Sequence, residues 1–139
     1  MGTINVGGVI KGGLVAGLLI NISETVLNVP VLGARMEAEL AARNLPPVGN
    51  GAIGLFVAEA FVMGLLTVWL YAAIRPRLGA GPKTAVYAGL FVWVLSTGYS
   101  ALAFGVMGIS SSGVIVISLA WTFVEMIIAS TVGAYLYSE

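Results

Sequence analysis

Glu24, Glu59 and Glu125 stand in long apolar stretches that contain no Lys or Arg. A carboxyl group in hydrocarbon is costly unless it is protonated or hydrogen-bonded, so such residues are candidates for passing a proton, holding a cation or locking helices together. Their neighbours differ. At about 100° per residue, Gly13, Gly17, Asn21, Glu24 and Asn28 share an arc of ~80° on one helix face. Asn21 and Asn28 each lie about one turn from Glu24, and the spacing predicts both as hydrogen-bond partners of its carboxyl. Ser118, Thr122, Glu125, Ala129 and Gly133 form a second such arc. A third holds Ala85, Gly89, Ser96, Ser100 and Ala103, with Tyr99 nearby. Glu59 shares its stripe with Phe56, Met63 and Thr67, which is mostly apolar. The candidate site is therefore Glu24 with Asn21 and Asn28, joined by Glu59, Glu125 and Thr122.

These groups need helices to position them. Apolar segments at roughly 12–32, 52–74, 84–108 and 113–137 each meet the ~20 residues that cross ~30 Å of hydrocarbon. They predict an all-α bundle of four transmembrane helices in one membrane domain spanning 1–139. The small and polar arcs should face inward, because membrane helices present such faces to one another. The first apolar run leads into Asn21, Ser23, Glu24 and Thr25 instead of a small-residue cleavage site, so a retained span is expected and not a signal peptide. Met1-Gly2 opens like a myristoylation signal, but Val6 stands where Ser or Thr is required.

The run 33–43 favours a short surface helix, with Arg35, Glu39 and Arg43 at intervals of four as a solvated charge ladder. Asn44-Leu45-Pro46-Pro47 should stop it. One side of the membrane then receives Lys11, Arg75, Arg77 and Lys83, the other Arg35 and Arg43. The positive-inside rule places both termini in the cytoplasm. Trp69, Tyr71, Tyr135 and Tyr137 near span ends fit an aromatic belt, and Ser110-Ser111-Ser112 a helix start. Helical rise puts Glu24 ~12 Å, Glu59 ~10 Å and Glu125 ~18 Å from the outer ends of their spans, which sets Glu24 and Glu59 at similar depth. Two close carboxyls of that kind can share one proton.

Composition narrows the chemistry. The chain of 139 residues is 59% hydrophobic and 9% charged, with mean hydropathy +1.04; soluble domains carry about 25% charged residues. It has neither Cys nor His. That disfavours iron–sulfur, zinc and Ser-His-Asp or Cys-His chemistry, and neither an enzyme nor a cofactor is expected. Formal net charge is zero, with no basic stripe for nucleic acid. The expected surroundings are the lipid bilayer and either further copies of the chain or a larger membrane complex.

The runs Gly12-Gly13-Leu14-Val15-Ala16-Gly17-Leu18-Leu19-Ile20-Asn21-Ile22-Ser23-Glu24, Trp69-Leu70-Tyr71-Ala72-Ala73-Ile74-Arg75-Pro76 and Gly81-Pro82-Lys83-Thr84-Ala85 resemble small bacterial four-span integral membrane proteins with no assigned function. The resemblance implies a bacterial inner membrane and carries over no site residue. Two classes of role fit the residues: permeation of a proton, cation or small solute through the carboxyl and amide groups, or an accessory subunit whose polar faces are helix-to-helix glue. An intramembrane enzyme is third and would need a metal held by carboxylates.

Overall fold

A computed structural model describes residues 3–138. It is 84% helical, with no strand among the described residues. Four helices are long and apolar enough to cross a membrane: Val6–Val31, Asn50–Leu78, Pro82–Val106 and Ser112–Tyr135. The shortest has 24 residues, roughly 36 Å at 1.5 Å per residue, which exceeds the hydrocarbon thickness. The protein is an all-α four-helix membrane bundle. Met1-Gly2 lies outside the described residues.

The first span begins earlier than the apolar pattern indicates. Asn5 caps it, its Oδ1 accepting from the Gly8 N–H at 3.1 Å. The Asn5 N–H reaches the Tyr137 hydroxyl at 3.2 Å, and its amide Nδ2 reaches the Ser138 carbonyl at 2.8 Å. Lys11 is thus inside the helix. Gly7-Gly8 reads as loop by propensity, but packing overrides it: Gly8 is buried and a Cβ there would touch the Tyr137 ring at 3.0 Å.

The spans form a ring in chain order, with the fourth closing back on the first, and the first and second packing most extensively. In the half that holds the termini, backbones touch. A Cβ on Gly12 would strike the Gly133 carbonyl, and one on Gly64 would strike the Gly13 carbonyl and the Gly17 nitrogen. Added at Gly13 or Gly17, it would meet the backbone of Leu65 or Phe61 at 2.7 Å. Such approach maximises dispersion where no hydrophobic effect operates between helices. Tyr71 and Tyr137, expected in an aromatic belt, are buried here instead, edge to face with centroids 6.0 Å apart. The Arg75 guanidinium lies 5.6 Å from the Tyr137 centroid.

The other half opens. In the third span the hydrogen bonding shifts to a π-type turn at Val94–Gly98, while the Ser96 hydroxyl donates to the Val92 carbonyl at 2.8 Å and the Ser100 hydroxyl to the Ser96 carbonyl at 2.8 Å. Hydroxyls that bond back onto the ladder bend membrane helices. Beyond this turn Tyr99, Leu102, Phe104, Val106 and Met107 are exposed. The first span ends similarly. Pro30 supplies no N–H and crowds the carbonyl one turn back, and Leu27–Val31 takes up the mismatch as a π-type turn closed by the Leu32 N–H on the Leu27 carbonyl at 2.8 Å.

Gly33–Ala42 is helical, and Asn44, at φ 55°, turns the chain out of it while the Leu45 N–H closes on the Leu40 carbonyl at 3.0 Å. The charge ladder expected there gives way to a clamp. Glu39 Oε1 accepts the Ser111 N–H at 3.0 Å, and Arg43 Nη2 donates to the Gly108 carbonyl at 2.8 Å. Ser111 caps the fourth span, so a carboxylate there meets orphan N–H groups and the positive end of the helix dipole, a stronger attraction than a solvated Arg offers. Hydrogen bonding from Ser111 and the Arg43 charge hold the Glu39 carboxyl below the usual glutamate range. Beneath the clamp, Leu27, Leu32 and Val114 are buried together against Met36, Ile117 and Trp121.

Candidate functional site

All three glutamates fall in the open half. Two hydrogen bonds set the register there. Asn21 Nδ2 donates to the Val57 carbonyl of the second span at 3.3 Å, and Trp121 Nε1 donates to Ser23 Oγ at 2.9 Å. Counting 1.5 Å per residue from these ties, Glu24 is nearest the open end, and Glu59 and Glu125 each lie roughly 7 Å further in. This differs from the expected pairing of Glu24 with Glu59 at one depth, because the two spans do not end level: by the same ties Asn50, where the second span starts, lies beside Asn28, and the first span continues past it to Val31.

The surroundings of each carboxyl follow from its face of the helix. Asn28 Nδ2 donates to Glu24 Oε2, and also to the Glu24 carbonyl at 2.9 Å. Asn21 does not join it; its amide bonds the Gly17 carbonyl at 3.0 Å as well as Val57, so it ties the first span to the second. Glu59 is exposed. Glu125 is 7% exposed, with the Ser23 hydroxyl against its carboxyl. Its Oε2 has no hydrogen-bond partner. Ranked by burial the three carboxyls form a line, Glu59–Glu24–Glu125, from exposed through half-buried to buried. Thr122 lies one turn from Glu125, buried, donating to the Ser118 carbonyl at 2.7 Å and accepting from Trp93 Nε1 at 2.9 Å.

Sequence reasoning omits four contributors. Ser23 lies off the Glu24 arc and faces the fourth span, where it joins Trp121 to Glu125. Trp93 and Trp121 bridge spans through their indole N–H groups. Their signal was available, since both sit well inside their spans, away from the interfaces Trp favours, and a buried indole N–H needs an acceptor. Thr67, 1% exposed in the closed half, has an Oγ1 with no hydrogen-bond partner. It is the second orphaned buried polar atom and lies about 12 Å beyond Glu59 toward the closed end.

The two best-defined grooves among the described residues are not lined by Glu24, Glu59 or Glu125. An apolar groove of about 400 Å³ lies between the far halves of the third and fourth spans, lined by Gly98, Ala101, Leu102, Gly105, Ile115 and Leu119 among others. Among the described residues no three acidic side chains come together as a metal cluster would. No protein-family model, curated protein or solved structure matches this chain.

Proposed function

We propose that this integral membrane protein is a small permeation protein, and that the Glu59–Glu24–Glu125 line admits protons or small cations from the open end. One observation carries this: the Glu125 carboxyl is buried mid-span with an oxygen left without a partner, and no Lys or Arg of the spans is there to neutralise it. Buried polar groups are satisfied as a rule, and an intramembrane carboxyl left short is a candidate proton carrier. Glu24 is the entry group, held by Asn28, and Ser23 and Trp121 fix the approach to Glu125. Thr67 is the next polar atom toward the closed half. Lys11, Arg75, Arg77 and Lys83 cluster at the closed end, which supports placing that end and both termini in the cytoplasm of a bacterial cell.

The test is proton flux into liposomes carrying the purified protein and a pH-sensitive dye. Glu125→Gln keeps the shape and removes the exchangeable acid, and flux is expected to fall roughly tenfold or more, about 1.4 kcal/mol on the barrier. Flux equal to that of the unaltered protein would remove Glu125 from any path.

A second role, as accessory subunit of a larger complex, is favoured by the far half of the third span. Val94–Val106 leaves much apolar surface without contact, as a docking element would. In that case native membranes should yield the chain bound to larger subunits in fixed ratio.

A further inference from the structure

Glu59 poses a problem that one copy of the chain does not solve. It is exposed roughly 13 Å along the second span from Asn50, deeper than a carboxyl side chain reaches back to the headgroups. The face it shares is apolar. Leu55, Glu59, Val62, Leu66 and Trp69 recur at intervals of four and three, the spacing of the seam along which two helices wind together. The seam points away from the bundle: Leu55 is 72% exposed, Val62 51%, Leu66 50% and Trp69 50%. The contacts with the first span use other residues, Phe61, Gly64 and Leu65. Lipid covers an apolar seam well and a carboxyl in it badly.

We propose that this seam is a homodimer interface, in which the second spans of two copies run parallel and in register with Glu59 against Glu59. Symmetry supplies what lipid does not. A two-fold axis along the membrane normal keeps every residue at its own depth, so each Glu59 meets an identical group at the same height, and the two carboxyls can hydrogen-bond to each other. An unrelated partner would need a polar group placed at that depth independently. A single polar residue in an otherwise apolar seam also fixes register and copy number. The dimer brings the two carboxyl lines together at their exposed members. The interface does not rest on permeation; it follows from the placement of Glu59 alone.

The chain contains no Cys, which makes the test clean. Val62→Cys, in the seam, and Phe91→Cys, exposed on the third span, are oxidised separately in native membranes. Val62→Cys is expected to give a disulfide-linked species of twice the chain mass, and Phe91→Cys to remain single. Adding Glu59→Gln, whose amide also pairs with its copy, should preserve the yield, and adding Glu59→Leu should lower it several-fold. Linkage of Val62→Cys to a different protein, no linkage, equal linkage at both positions, or a yield indifferent to Glu59→Leu would each overturn the dimer. Cross-linking is read without flux, so a dimer that moves no protons would count against permeation and leave the interface standing.

Discussion

The two ends of the bundle are built from the same four helices and solve opposite problems. At the closed end Gly12, Gly13, Gly17, Gly64 and Gly133 bring backbones into contact, and stability comes from dispersion between atoms that have no freedom to move. At the open end the same helices carry Glu24 and Glu125, and Asn21, Trp93 and Trp121 bridge the spans there by single hydrogen bonds. Glycine at Gly51 and Gly54 has nothing within 4 Å, although the residue type is the same as at Gly64. A glycine is thus a packing device only where another backbone arrives to use it. The rigid end supports the polar end, which by its sparse contacts is the half able to open locally.

The largest effect should come from making the closed end resemble the open one. Gly64→Ala places a methyl into the Gly13 carbonyl and the Gly17 amide, both backbone and unable to swing aside, and about 3 kcal/mol of stability should be lost in detergent unfolding. A loss below ~1 kcal/mol would mean that the first and second spans separate easily. The same change at Gly54 meets open space and should gain ~0.5–1 kcal/mol from helix propensity.

Thr67→Val sharpens the contrast from the other side. The Thr67 hydroxyl has no bond to lose, so its removal should be neutral or stabilise by about 1 kcal/mol while proton flux falls. Destabilisation by that amount would reveal a partner for Oγ1. Smallest of all is the acid response of the clamp at the open end. The Glu39 carboxyl is held below its ordinary range by Ser111 and Arg43. Its contribution is therefore complete above about pH 4.5, and is lost as pH falls through the lowered value. Melting of the unaltered protein and of Glu39→Gln should differ slightly at neutral pH and converge in acid; a gap that persists at about pH 2 would mean the carboxylate charge is not what matters.

Much of this was legible in the sequence. Four apolar runs gave the bundle, and the 3.6-residue period put Thr122, Glu125, Ala129 and Gly133 on one inward face, where Thr122, Glu125 and Ala129 are buried. What period alone does not reveal is which neighbour a face meets. Asn21 and Asn28 are equivalent by spacing, yet only Asn28 reaches the Glu24 carboxyl, because the Val57 carbonyl of the second span competes for Asn21. Glu39 likewise has an i, i+4 partner in sequence and a better one 72 residues away. Local rules fail where a distant backbone group offers a stronger bond. The relative depth of Glu24 and Glu59 was misjudged because apolar runs do not show that neighbouring spans end at different heights, and Asn50 lies beside Asn28, short of the first span's end.

The bonds from Asn5 to Tyr137 and Ser138 bear on how the protein is made. The first two spans are available to each other early in synthesis, since Gly13 and Gly17 meet Leu65 and Phe61. The side of the first span built around Gly12 waits for Gly133, which leaves the ribosome seconds later at 5–20 residues per second. Until then a groove of bare backbone faces the lipid. A chain cut short before its last two turns would keep that groove open for good, and would present to the quality-control machinery of the membrane a half-built ring with its seam showing.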